Sequence, residues 1–254
     1  MPKPASSGPR ILFFDIETSP IEAFAWTMYD TNLVAVKRPT YMLAWAAKWH
    51  GSKNTIARIL PDYGEYEKDQ YSDRALVTEL HSLLDQADIV IAHNAAFDIK
   101  KTNSRFLANG LPPPSPYKVF CTLQLARKVG KFDSNKLDSL GTYLGVGRKV
   151  QHTGIHLWMG CIDKNPASWR TMRRYNRHDV DLLEGVFEKL KGFAPNFPDL
   201  NMWSRLERCP VCQSRQIQQR GFTVSKAGRK QRYQCQAMGC GNWFSLGKNI
   251  KEAA

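Results

Sequence analysis

The segment Phe13-Phe14-Asp15-Ile16-Glu17-Thr18 constrains this chain most. Arg10 to Ile16 is an apolar, aromatic run bounded upstream by Gly8-Pro9, and it reads as a buried central strand. Side chains two apart on a strand share a face, so Asp15 and Glu17 project together. Two unpaired carboxylates on a core face would cost on the order of several kcal/mol each. That face is therefore not ordinary core, and the fold must bring compensating charge to it.

Two further signals supply more acid. Asp98 follows His93-Asn94-Ala95-Ala96-Phe97, and Tyr175-Asn176-Arg177-His178-Asp179 puts Tyr175 and Asp179 four apart on one helix face. Singly, Asp98 reads as a helix-start residue favoured by the helix dipole, and Tyr175 and Asp179 as a solvated helix face. Together, four carboxylates repel unless divalent cations neutralise them. Two cations so held can clamp the attacking and leaving oxygens of a phosphodiester.

The rest of the chain spells out a mixed sheet flanked by helices. Residues 41–50 and 54–60 are candidate partner strands, forming an antiparallel meander with the first. Leu76, Leu80, Leu83 and Leu84 space an amphipathic helix over Asp73 to Gln86. Asp88 to Ala92 is a short strand aimed at His93-Asn94, and a helix is expected from about Phe97 to Asn109-Gly110. The proline-rich Leu111 to Pro116 is a stiff connection. Val119 to Thr122 is a further strand, followed by helices at Leu123 to Val129, Lys136 to Gly145 and Pro166 to Lys191, the last with Pro166 in its first turn. The expected division is a flexible arm at 1–9, a main domain at 10–192, a linker at 193–204, a small module at 205–248 and a tail at 249–254. Leu157-Trp158-Met159 is expected in the core, and Cys121 and Cys161 as buried small residues.

The 254 residues carry a formal net charge of +13, which suits a polyanionic partner. Residues 201–254 contribute 10 Lys and Arg against 2 Asp and Glu, so +8 of the charge sits there. No apolar run of about eighteen residues is present, so no membrane span is expected. The first nine residues lack the apolar core of a secretory signal, which makes cytoplasmic residence the expectation.

Phe-Asp-Ile-Glu-Thr, Asn-x-x-Phe-Asp and Tyr-x-x-x-Asp, in this order, resemble the three exonuclease motifs of the DEDD superfamily in its tyrosine-bearing branch. Lys136-Leu137-Asp138-Ser139-Leu140 with Leu144-Gly145 is similar to the segment before the third motif in family B DNA polymerase proofreading domains. The histidine-bearing branch would need His at 174, which is Arg; His178 lacks that spacing and reads as structural or as a substrate contact. The resemblance spans residues 10 to about 190. It implies a ribonuclease H-like fold, without polymerase motifs, and a metal-dependent 3′→5′ exonuclease releasing nucleoside 5′-monophosphates.

Carried over, the resemblance implies that Asp15 bridges two Mg²⁺ or Mn²⁺ ions, Glu17 and Asp179 complete the first site, and Asp98 holds the second, through water. The ions would lie about 3.5–4 Å apart. Tyr175 would orient the attacking water and pass on its proton. Asn94, Phe97 and Thr18 are candidate contacts to the 3′-terminal nucleotide, although for Phe97 a place in its helix core is the favoured expectation. Single-stranded DNA is the expected substrate and a replication or recombination protein a candidate partner. A ribonuclease trimming RNA 3′ ends, a non-catalytic nucleic-acid-binding protein and a structure-specific endonuclease remain competing readings.

Cys209-Pro210-Val211-Cys212 and Cys235-x-x-x-x-Cys240 read as two knuckles of one tetrahedral Zn²⁺ site, although the second has four intervening residues in place of two. Disulfides are disfavoured in a cytoplasmic chain. Ile217 to Val224 and Arg232 to Cys235 would be strands of a zinc ribbon that the metal helps to fold. Its Arg and Lys residues, interleaved with Phe222, Tyr233, Trp243 and Phe244, suit stacking on bases and pairing with phosphates; a purely structural cap is the alternative.

Overall fold

The computed structural model describes residues 8–29, 32–203, 207–226 and 228–250, the last three by their backbone alone. Most of the expected N-terminal arm and C-terminal tail, and residues 204–206 at the linker, lie outside the described residues.

In chain order the elements are β1 (Ile11–Thr18), β2 (Glu22–Phe24), β3 (Ala35–Arg38), β4 (Met42–Trp49), β5 (Ile56–Ile59), α1 (Glu65–Lys68), α2 (Arg74–Gln86), β6 (Ile89–Ala92), α3 (Ala95–Ala108), β7 (Lys118–Cys121), α4 (Thr122–Val129), α5 (Leu137–Tyr143), α6 (Ile155–Ile162), α7 (Pro166–Leu190), β8 (Ile217–Ser225), β9 (Gly228–Cys235) and β10 (Trp243–Ile250). A five-stranded sheet has the order β5-β4-β1-β6-β7. Strands β1, β4 and β5 pair antiparallel, as the expected meander requires, whereas β6 and β7 join parallel to β1. This is the ribonuclease H-like mixed sheet, with helices on both faces.

The alternation in β1 divides the core. Leu12, Phe14 and Ile16 enter one cluster with Leu76, Val77 and Leu80 of α2 and Phe106 of α3. Ile11 and Phe13 enter the other with Val180, Leu183, Val186 and Phe187 of α7. The odd-numbered side chains of β1 thus face α7. Phe13 meets Phe187 edge-on, with ring centroids 5.5 Å apart. Asp15 and Glu17 continue that same face toward the strand end.

Polar contacts fix the helices against the sheet. Asn165 Oδ1 caps α7 by accepting from Ala167 N at 2.8 Å, ahead of Pro166 at the first helical position. Lys48 of β4 binds Glu184 at 2.7 Å and Asp181 at 3.1 Å, which sets the register of α7 along the sheet. Asp73, buried before α2, accepts from Met42 N at 2.8 Å and from both Arg105 nitrogens at 2.6 and 2.7 Å, tying β4, α2 and α3 together.

Three elements depart from the sequence reading. A β2–β3 hairpin occupies the connection between β1 and β4; its strands are short and show no burial alternation. Helix α6 covers the Leu157-Trp158-Met159 segment, with only Leu157 fully in the core and Met159 exposed. The three-stranded sheet β10-β9-β8 gains a strand beyond the last cysteine. Cys161 is buried as expected, and Cys121 is half-buried. Among the described residues, no helix is long and apolar enough to cross a membrane.

Candidate active site and cysteine cluster

The end of β1, the start of α3 and the middle of α7 meet at one place. Asp15, Glu17 and Asp179 each put an oxygen within 4.8 Å of the others. Helical periodicity explains the third acid: the buried stripe Met172, Tyr175, Asn176, Asp179, Val180, Leu183 runs along the α7 face that lies on β1. Tyr175 and Asp179 are therefore not a solvated face; both are buried. Asn176, also buried, donates from Nδ2 to Asp15 Oδ2 at 2.7 Å.

Asp98 stands beside the trio, outside the 4.8 Å group. Asn94 adopts left-handed backbone (φ 67°, ψ 40°), and α3 starts at once after it. This early start turns Asp98 inward and Phe97 outward. Phe97 is 48% exposed, so its expected place in the helix core is corrected: it lies at the surface next to Asp98. The pairing of β1 with β6 ends at Phe13 and Ile91, and beyond it the Ile16 N–H donates to the Asp98 carboxylate, as does the N–H of Asp98 itself. Thr18 ends β1 at a break in register with β4, a local irregularity of the kind that re-aims side chains near sites. Asn94 is exposed beside the site.

Burial raises the pKa of each of these acids, and repulsion from neighbouring carboxylates adds to it for Asp15 and Glu17. Burial, reinforced by Glu17, Asp98 and Asp179, raises Asp15 well above its ordinary value. Burial and Asp179 push Glu17 up to about 8, and burial pushes Asp98 up to about 7. Burial likewise raises Asp179, against the pull of Lys149. Burial and the same carboxylates raise Tyr175 above the ordinary phenol value, so its hydroxyl is a donor across the neutral range.

Sequence reasoning missed three groups here. Lys149, from the loop after α5, places Nζ 2.5 Å from Asp179 Oδ2 and 3.3 Å from the Tyr175 hydroxyl. Nothing in its spacing marks it. His178 Nε2 donates to the Arg148 carbonyl at 2.6 Å and so pins that loop, which gives it the structural role foreseen as one option. Trp158 of α6 donates to Glu17 and lies with His152 against the Tyr175 ring. Asn176 had a signal, since it falls on the buried stripe. On the other side of Lys149 a cleft of about 580 Å³ is lined by His93, Asn94, Arg127, Asn135 and Lys136. His93 is driven down to about 4 by burial; its Nε2 donates to the Asn135 carbonyl and its Nδ1 accepts from Thr122, each at 2.9 Å.

The donor set fits divalent cations. It is all hard oxygen, and Asp179 Oδ1 is buried without a hydrogen-bond partner among the described residues. Crowded acids with raised pKa values are the electrostatic signature of a site that a cation would neutralise.

The four cysteines Cys209, Cys212, Cys235 and Cys240 also converge, with every sulfur within 4.8 Å of the others. Cys209 Sγ lies 3.7 Å from Cys240 Sγ, and Cys212 Sγ lies 3.6 Å from Cys235 Sγ. These separations are far too long for disulfides, about 2.0 Å. They match the edge of a tetrahedron with Zn–S of about 2.3 Å, which is roughly 3.8 Å. Backbone N–H groups of Val211 and Cys212 point at Cys209 Sγ, that of Ser214 at Cys212 Sγ and that of Asn242 at Cys240 Sγ. The longer second knuckle is absorbed by a turn with Gly239 at φ 78°, leaving Met238 fully exposed. The set is compatible with a zinc module.

The cluster docks on the main sheet. Asn242 Nδ2 donates to the Gly192 carbonyl at 2.9 Å, just past α7. Phe197 packs both on Phe120 and Phe187 and on the cysteine module.

No curated protein matches the chain. Residues 39–156 match the family model RNase_T, described as Exonuclease. The matched span contains Asp98 and Lys149, whereas Asp15, Glu17, Tyr175 and Asp179 flank it and are joined to it by the fold. The chain therefore carries a ribonuclease H-like exonuclease domain, a hydrolase of nucleic-acid phosphodiesters, next to a four-cysteine module.

Proposed function

We propose that the protein is a metal-dependent 3′→5′ exonuclease of the tyrosine-bearing type, acting on single-stranded DNA ends, with residues 10–192 as the nuclease domain and 205–248 as a zinc ribbon. The observation that carries this reading is the convergence of Asp15, Glu17 and Asp179 within 4.8 Å, with Asp98 alongside. These four would hold two Mg²⁺ or Mn²⁺ ions, which when bound acidify water and neutralise the leaving 3′-oxygen. Asn176 fixes one Asp15 oxygen. Tyr175, a neutral donor, orients the water but does not take its proton. Lys149 sits between the carboxylates and the cleft, where it can pass from Asp179 to an incoming phosphate.

Asn94, Thr18 and the exposed Phe97 are the contacts this reading assigns to the terminal nucleotide. The preference for DNA over RNA rests on the likeness of Lys136 to Leu140 to proofreading domains. The ribbon joins in binding: Arg232 lies 5.1 Å over the Trp243 ring and Arg229 lies 4.7 Å over Phe222, presenting cations with flat rings. Replication or recombination proteins as partners, and cytoplasmic residence, belong to the same reading.

The test is digestion of 5′-labelled single-stranded DNA, duplex DNA and RNA with Mg²⁺, Mn²⁺ or EDTA. A stepwise ladder on DNA that EDTA and Asp15→Ala both abolish is expected. Faster decay of RNA, discrete internal cuts, or binding without cleavage would each replace this reading with one of its competitors.

A further inference from the structure

We propose that the β2–β3 hairpin is a base-stacking arm, taking unpaired bases of the nucleic-acid strand whose end occupies the carboxylate site; this rests on the nuclease reading above. The hairpin is apolar where it should be polar. Trp26, Met28 and Tyr29 are 85%, 94% and 92% exposed, and Phe24, Leu33 and Val34 are about half exposed. Single exposed apolar side chains are ordinary, but a contiguous set marks a surface that binds something.

Its placement names the partner. The hairpin grows from the carboxylate end of β1. Its root is closed where Ser19 N donates to the Tyr41 carbonyl at 2.9 Å and Tyr41 N donates to Ser19 Oγ at 3.0 Å. Glu17 precedes that root by two residues, about 7 Å of extended chain. The root is braced as well: Arg38 binds Glu22 at 2.6 Å and lies 3.3 Å over the Tyr71 ring, which meets Tyr41 edge-on. A fixed root thus carries a bare apolar end.

The chemistry agrees. Phe24, Trp26 and Tyr29 offer flat faces, and among the described residues none of them stacks on another ring. Bases of any sequence stack on such faces. Lys37 and Arg38 share the single carboxylate of Glu22 at the root, which leaves it a net positive charge, and with the +13 of the whole chain this favours a polyanion over a neutral or basic surface. A second copy of the chain seated here would lie across the sheet end that a strand must reach to enter the site.

The experiment compares the full chain with a Phe24→Ala/Trp26→Ala/Tyr29→Ala variant. Two assays separate the arm from the chemistry: hydrolysis of the p-nitrophenyl ester of thymidine 5′-monophosphate with Mn²⁺, and anisotropy of a labelled 12-nucleotide single strand in EDTA. The expected result is unchanged ester hydrolysis with strand affinity reduced about 10-fold or more, the loss of one or two stacked bases. Photocrosslinking of a 5-iodouridine strand to the unaltered chain should map to residues 24–29. Unchanged affinity with crosslinks elsewhere overturns the proposal. So does a dimer that the variant dissolves while affinity stays the same, which would make the hairpin a contact between copies. If the unaltered chain cleaves neither ester nor strand, the nuclease reading falls, and the affinity and crosslinking results still decide the arm.

Discussion

Lys149 and Asp179 form a 2.5 Å ion pair of unequal burial, the lysine 32% exposed and the carboxylate 1%. Burial opposes the charge on Lys149, but Asp179, Asp15 and Glu17 hold its pKa above the usual lysine value. The ammonium therefore neutralises the same carboxylate that a divalent cation would use. Lys149→Met removes that competitor. Its Mn²⁺ dissociation constant, read by calorimetry, should fall several-fold, while turnover falls roughly 10–100-fold as for other outer partners of a metal site. Weaker Mn²⁺ binding would show that the lysine organises the acids instead of competing for them.

Stability of the metal-free protein should fall as pH rises. Glu17 moves from an ordinary 4.5 to about 8, and Asp98 from 3.8 to about 7. Such groups hold protons in the folded state that the unfolded chain has released, so their contribution is complete below the ordinary value and lost as pH climbs through the raised one. His93 has the opposite sign, since its drop from 6.5 to about 4 adds stability as pH rises across that interval. The clean window is therefore pH 6.5 to 8, where His93 is silent and the two acids still titrate. In EDTA the melting temperature should drop there by about 3 °C or more, the scale of one kcal/mol in a chain of this size. Excess Mn²⁺ should flatten the slope and Glu17→Gln should reduce it, with Asp15 and Asp98 supplying what remains; a melting temperature independent of pH in EDTA would refute the electrostatic account.

Most of this site was legible in the chain because its acids sit on regular elements. Asp15 and Glu17 interrupt an apolar strand, and Tyr175 and Asp179 share a helix stripe, so period 2 and period 3.6 carry the information. Lys149 and the β2–β3 hairpin were not legible. The lysine comes from a loop, where position follows from tertiary packing and not from spacing. The hairpin strands, of three and four residues, bury no alternating face. Phe97 was drawn toward the core by its chemistry alone; the left-handed turn at Asn94, which starts α3 two residues early, decides its direction. In the cysteine module the knuckles were readable, whereas β10 lies beyond the last cysteine and is specified by its pairing with β9.

Asn176 offers a test of how Asp15 is held. Its Nδ2 occupies one Asp15 oxygen at 2.7 Å, and the residue is fully buried between α7 and β1. Asn176→Leu keeps the volume but removes the donor, leaving Asp15 free to rotate away from its partners. Cleavage should fall about 10–100-fold with a matching rise in the Mn²⁺ requirement. Loss of activity at saturating Mn²⁺ with unchanged metal affinity would instead place Asn176 among groups that act on the substrate.

Gly192 joins the two metal-compatible sites mechanically. It lies just beyond α7, whose middle carries Tyr175 and Asp179, and a Cβ built on it would stand 1.8 Å from the Cys240 carbonyl oxygen. That atom is backbone at a cysteine knuckle, so it cannot swing aside. Gly192→Ala must push the module off the helix end and break the 2.9 Å bond from Asn242. Limited proteolysis should then cut within 207–250 faster, and the melting temperature should drop by several degrees, consistent with an overpacking cost of about 1–3 kcal/mol. Zinc content should stay near that of the unaltered chain, because all four cysteines remain. Zinc lost together with docking would mean that the module folds only against α7; unchanged proteolysis would mean that the helix end, and not the knuckle, gives way.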